Sequence, residues 1–298
     1  MRARRTTKAP PWHGWVAADV FLSSLSAGTF IVAALAILTR PIMFSTIARI
    51  AMLAAFPLIL ADIICLLADL GDPLRFHHML RVFKLRSPMS VGVWAIVVFS
   101  MIAFAAFAAV ILDMRDPIVR ALAAIGLVPA LFVAGYKGVL FSVTAQPGWR
   151  AMRWLGAEFS ISATAMGAAL MLLDAWVTGD PIAAAIIRTV TLWLLIPNAI
   201  LIVMLQFAAA GGPPRKSKVW VELVLFLVAG IAAPIVSILL SDDFPNLDLV
   251  TAILVIGGGF VARRHMVKMP HHPEEFGARS DPESRGPSQA ESGAAAPR

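Results

Sequence analysis

Asp19, Asp62, Asp69, Lys137, Glu158 and Glu222 are ionisable side chains set inside long apolar stretches, and Tyr136 stands next to the lysine. An unpaired charge in hydrocarbon is costly, so such residues point to proton transfer, ion pairing or ligand binding. Asp62 and Asp69 are seven positions apart, which places both on one helix face, two turns from each other. Asp62 and Lys137 lie deepest and read as members of a buried ion pair, structural or proton-relaying. Asp69, Glu158 and Glu222 read equally well as helix-end residues at the membrane surface. Asn198, beside Pro197, reads as the partner of a helix kink.

Other chemistries find little support. A membrane haem b needs axial histidines on facing helices, and His13, His77, His78, His265, His271 and His272 all fall outside the apolar stretches. The pair His271-His272 has no partner spacing for zinc. Cys65 is the single cysteine, so neither a disulfide nor a cysteine-ligated iron–sulfur cluster can be built within this chain, and it reads as a small core residue. No phosphate-binding G-x-x-x-x-G-K-[ST], no H-E-x-x-H and no serine elbow is present.

The elements that must position these residues are membrane-spanning helices. Of 298 residues, 59% are hydrophobic and 14% charged, and the mean hydropathy is +0.81, outside the range of soluble domains. Spans of about 20 apolar residues satisfy their backbone internally. Eight are expected, at 16–38, 47–70, 91–112, 118–142, 154–177, 182–207, 219–240 and 247–262. Breakers punctuate them, among them Arg40-Pro41, Asp116-Pro117, Gly179-Asp180-Pro181 and Gly211-Gly212-Pro213-Pro214. Short joints make neighbours antiparallel, giving an all-α, up-and-down polytopic membrane protein. Residues 1–15 form a basic arm before a first helix too long for a cleaved signal, and 263–298 read as a disordered cytoplasmic tail.

Charge orients the chain. With eight spans, one side collects about sixteen bases, including Arg2, Arg4, Arg5, Lys8, Arg75, Arg81, Lys84, Arg86, Arg150, Arg153, Arg263 and Lys268. The other side holds Arg40, Arg49, Arg115, Arg120 and Arg188 among seven aspartates. Both termini are therefore expected in the cytoplasm, and the intramembrane ionisable residues fall together in the leaflet nearer that side. The net charge of +7 reflects this asymmetry toward an anionic lipid surface, not a nucleic-acid footprint.

Between the second and third spans the apolar pattern breaks. Phe76, Met79, Leu80 and Phe83 follow i, i+3, i+4, i+7, opposite Arg75, His78, Arg81 and Lys84, which predicts an amphipathic interfacial helix over 74–85. It could anchor the surface, roof the polar layer or dock a partner. His77 and His78 fit proton entry or lipid headgroup contact. Ser87-Pro88-Met89-Ser90 reads as the start of the third span.

Residues 69–90, DLGDPLRFHHMLRVFKLRSPMS, resemble the D-L-G-x-P-x-R-F … S-P-M-S signature of the NrfD-like family, the quinone-interacting membrane subunits of polysulfide-reductase-type complexes. Residues 135–149, GYKGVLFSVTAQPGW, are similar to that family's Y-x-G-x-L … P-x-W stretch, and 12–28, WHGWVAADVFLSSLSAG, resemble its first-helix L-x-x-x-x-A-G pattern. The resemblance covers the first four or five helices. It implies two four-helix bundles, 16–142 and 154–262, with a menaquinone or ubiquinone pocket in the first and neither haem nor iron–sulfur cluster in this chain. It also implies a ferredoxin-like iron–sulfur partner subunit and a catalytic, often molybdopterin-containing one, in a bacterial inner membrane.

Carried over to this sequence, Tyr136 is the headgroup contact, and quinol oxidation needs bases, for which Asp69, Asp62 and His13 are the candidates. The expected quinone-binding set is Tyr136, Lys137, His13, Asp19, Asp69, Arg75 and His77, with Tyr136, Asp69, Asp62 and Lys137 in the chemistry. Two positions depart from the family. Lys137 replaces a small or hydroxylic residue, supplying a cation that could stabilise a reduced headgroup or pair with Asp62 or Asp19. Asp19 stands where an apolar or tyrosine residue is expected. Many relatives hold the partner in the periplasm, whereas the charge distribution here sets the pocket in the cytoplasmic leaflet. Two further readings are a proton-translocating or transport module, through Asp62, Lys137 and Glu158, and a purely structural membrane anchor.

Overall fold

The computed structural model describes residues 14–70, 77–81, 83–84, 86–144, 147–210, 224 and 226–268. Among them the regular structure is entirely helical: α1 (Gly14–Thr39), α2 (Ser45–Asp69), α3 (His77–Leu80), α4 (Pro88–Ile111), α5 (Asp116–Ser142), α6 (Pro147–Arg150), α7 (Leu155–Thr178), α8 (Pro181–Ala210), α9 (Ala233–Leu240) and α10 (Leu247–Lys268). A π-helical turn, Val228–Ala232, leads into α9. Six of the described helices, α1, α2, α4, α5, α7 and α8, are long and apolar enough to cross a membrane.

The breakers act where the sequence puts them. Gly179 ends α7 in the left-handed conformation at φ 68°, and the next residue, Asp180, accepts the amides of Ile182 and Ala183 at 3.1 and 3.0 Å to start α8. Ser87 is extended and its hydroxyl accepts the Ser90 amide, with Pro88 in the first turn, so the S-P-M-S stretch is the cap of α4. Helix α8 runs through Pro197, and Asn198 beside it is buried.

Two expectations change. The helix predicted over 74–85 is helical only at His77–Leu80 among its described residues. Downstream, the Lys84 amide bonds to Ser90 Oγ at 3.1 Å and the Lys84 carbonyl accepts Ser87 N–H, so the chain is drawn into the α4 cap. A single amphipathic turn gains too few helical bonds to resist this. The last helix extends to Lys268, past the boundary expected at Ala262, because Arg263 has buried partners that keep it helical. Residues 269–298, the rest of the expected tail, lie outside the described residues, as does the basic arm up to His13.

Helices α1, α2, α4 and α5 form a ring of neighbours, and α7, α8, α9 and α10 pack on one another beside it. The two groups meet where α7 packs on α1 and α5, and α1 crosses α7 at close range. A Cβ at Gly28 would overlap the Ala163 carbonyl, and one at Gly167 would overlap the Gly28 backbone, so this crossing demands glycine on both helices. α1 therefore touches α2, α5, α7 and α10, and the main core, from Phe30 and Ile31 through Met52, Phe99 and Ala163 to Met171, is continuous across the junction.

The end opposite the basic side is clamped by two arginines. Arg49 on α2 bonds to Asp113 at 3.0 Å and Asp116 at 2.8 Å, tying α2 to the α4–α5 joint. Arg188 on α8 bonds to Asp242 and, through Nη2 at 3.1 Å, to Oδ2 of buried Asp248 at the start of α10, with an ion contact of 2.8 Å from Nε to Asp248 Oδ1.

Candidate functional site

Lys137 is buried on α5, facing α1 and α2. Its ammonium lies 2.8 Å from Asp62 Oδ1 on α2, 2.9 Å from the Asp19 backbone carbonyl on α1, and 2.9 Å from Asp19 Oδ1. The first two are aligned hydrogen bonds, and the third is an ion contact without hydrogen-bond alignment. Three helices are thus tied at one nitrogen, and neither carboxylate is more than 9% exposed. Asp62 Oδ2 is buried and has no hydrogen-bond partner among the described residues. Cys65, one turn along α2, is buried and unbridged, as a core residue would be.

Tyr136, one position earlier on α5, turns toward α4. Its ring lies against Gly92, where any Cβ would overlap it, and its centroid is 6.0 Å from Lys137 Nζ. On its other side is a cleft of about 510 Å³. One face of α5 (Leu131, Phe132, Gly135, Tyr136 and Val139) is the floor, and the walls are the starts of α4 and α7. Leu131, Phe132 and Val139 are nearly half exposed, so the cleft opens on the lipid-facing surface of the helices. Arg86, Arg153 and Trp154 line it at the ends of the two walls.

The expected site residues therefore separate into three groups. Asp19, Asp62 and Lys137 come together as the buried cluster, and Tyr136 stands between that cluster and the cleft. Asp69 is exposed at the last residue of α2, and His77 is exposed on α3 with its ring 4.2 Å from that of His78, so neither lines the cleft. His13, Arg75 and Glu222 lie outside the described residues.

A second buried ionic group is not legible as one in the sequence. Arg263, counted among the exposed bases, is 1% exposed, donates to Ser162 Oγ at 3.0 Å and to the Gly259 and Phe159 carbonyls at 3.3 and 3.4 Å, and stacks over the Phe159 ring. Glu158, on the same stretch of α7, is equally buried, with Oε1 unpartnered among the described residues. Spacing holds the signal: Glu158, Phe159 and Ser162 share one face of α7, and an arginine one turn beyond the Gly257-Gly258-Gly259 run can meet it.

A stretch of 96 residues, 32% of this chain, is 30% identical to a subunit of the selenate reductase of Mesobacillus selenatarsenatis, and it spans 22% of that protein's length. The family model described as polysulphide reductase, NrfD, matches residues 4–268, from the basic arm to the last residue of α10. With its long apolar helices, the chain is a multi-pass membrane protein, and it belongs to the polysulphide reductase NrfD family.

Proposed function

We propose that this chain is the quinone-binding membrane subunit of a multi-subunit oxidoreductase, exchanging electrons and protons between menaquinone or ubiquinone and an iron–sulfur partner subunit. The observation that carries the reading is the position of Tyr136, between a lipid-facing cleft and a buried cluster of two carboxylates and an ammonium. Family membership and the partial similarity to a selenate reductase subunit support a role within a reductase complex. To this we add a molybdopterin-type catalytic subunit behind the iron–sulfur one. In this reading the chain crosses a bacterial inner membrane eight times, in two four-helix halves, with 219–240 and 247–262 as the last crossings and both termini in the cytoplasm.

The residues fit such a ligand. The apolar floor suits a hydrocarbon tail, the volume falls in the range of small-molecule sites, and the phenol of Tyr136 can donate to a carbonyl acceptor. A bound quinone would supply reversible electron and proton uptake at its headgroup. Gly92 lets α4 close on the Tyr136 ring and so sets its direction. Two ionised carboxylates and one ammonium leave the cluster with a net charge of −1, and one added proton neutralises it. Asp62 Oδ2, buried and unpartnered among the described residues, is the atom that would hold that proton. Lys137, with both its carboxylates engaged, keeps the remaining charge paired.

In the assembled complex, Tyr136→Phe should lower quinone-dependent turnover by about tenfold, the loss of one hydrogen bond, while assembly stays normal. Full turnover in a Tyr136→Phe, Asp62→Asn double variant would overturn the site. A proton-translocating role is the second reading, favoured by the buried Glu158 and Arg263 on the other side of the α1–α7 junction. Reconstituted vesicles separate the two, since translocation moves protons beyond those consumed by quinone chemistry.

A further inference from the structure

We propose that the same cleft carries an anionic phospholipid at its rim, its phosphate held between Arg86 and Arg153 and one acyl chain lying along α5. Both guanidiniums line the cleft, one just before α4 and the other just before α7, and no acidic residue lines it with them. Neither has a hydrogen-bonded or ion-paired carboxylate among the described residues, whereas Arg49 and Arg188, at the opposite end, are each held by two. The start of α7 also faces the cleft, through Gly156 and Ala157, and its cap residue Trp154 supplies no side-chain acceptor there.

Below the rim the chemistry changes to hydrocarbon. Val91, Leu131, Phe132 and Val139 form a continuous apolar strip, and Trp154, 63% exposed, sits at the boundary as interfacial tryptophans do. A paired positive charge above an apolar strip is complementary to one amphiphile, a diacyl lipid with an anionic phosphate head. A quinone lacks the charge to engage the arginines, so the rim contact does not rest on the quinone reading, although an acyl chain along α5 and a quinone tail would compete for the same floor. The lipid would border the route by which any lipid-soluble molecule reaches Tyr136.

The full chain, extracted in a mild detergent from membranes containing phosphatidylglycerol and phosphatidylethanolamine, should retain phosphatidylglycerol, measured by lipid extraction and mass spectrometry. An Arg86→Gln, Arg153→Gln double variant should retain about tenfold less of it, with phosphatidylethanolamine unchanged. Arg150→Gln, a neighbouring exposed base that does not line the cleft, should retain the wild-type amount. Wild-type retention by the double variant, or equal loss in the double variant and Arg150→Gln, would overturn the proposal. If the double variant does not fold, the wild-type protein decides by exchange: phosphatidylglycerol should displace bound lipid in preference to phosphatidylcholine, and absence of preference would overturn it. Displacement of the retained lipid by inorganic phosphate at moderate concentration would show a simple anion site and count against a lipid one.

Discussion

Lys137 on α5 donates to Asp62 on α2 across 2.8 Å, a bond between residues 75 positions apart in the chain. Asp19 completes the contact from α1, so one ammonium is the common counter-ion of two carboxylates. Removing the lysine leaves both carboxylates buried without a cation, whereas removing Asp62 leaves Lys137 still paired with Asp19. Lys137→Met should therefore cost about 3–5 kcal/mol and Asp62→Asn markedly less. Thermal unfolding of the detergent-solubilised protein checks the order, and equal loss in both variants would contradict a shared counter-ion.

Gly92 and Tyr136 make the second test. A methyl at position 92 overlaps the tyrosine ring and must push it toward the cleft or force α4 away. Gly92→Ala should lower quinone-dependent turnover as far as Tyr136→Phe does, with little change in thermal stability. Turnover at the wild-type level in Gly92→Ala would mean that the ring direction is immaterial.

The α1–α7 crossing predicts a different phenotype. Gly28→Leu or Gly167→Leu cannot be accommodated by a rotamer change, because the colliding atoms are backbone. Both variants should yield little folded protein by size-exclusion chromatography, while Gly257→Leu, with open space around its Cβ position, should behave as wild type.

The two arginine clamps should differ in strength. Asp113 and Asp116 are largely exposed, so Arg49→Ala should cost at most about 1 kcal/mol, an effect reduced by salt. Asp248 is 3% exposed by side chain, and Arg188→Ala strands its charge, costing about 3 kcal/mol. Unfolding midpoints at low and high ionic strength distinguish them, since only the Arg49 contribution should fade with salt.

Much of the fold is written locally. The apolar runs, the Gly179-Asp180-Pro181 stop and start and the Ser87 cap are set by residues close together in sequence, and the long helices through α8 begin and end within a few residues of expectation. The 74–85 segment departs from its periodicity because the Lys84 amide goes to Ser90, a competition that a periodic pattern does not register. Arg263 departs from its expected exposure because a base near the end of an apolar run has the same local signature whether it faces water or a neighbouring helix.

The sequence by itself determined that this chain lives in a membrane, that Asp62 and Lys137 need partners there, and which motifs it shares with its family, since hydrophobic length and the cost of a buried charge are local quantities. Only the tertiary structure decided that Asp19 joins the pair, that Tyr136 stands between it and a cleft bounded by α4 and α7, and that Asp69 and His77 stay outside. Those outcomes depend on how helices rotate about their axes, which is set where Gly28, Gly92 and Gly167 let backbones and rings approach, and not by the composition of any single helix.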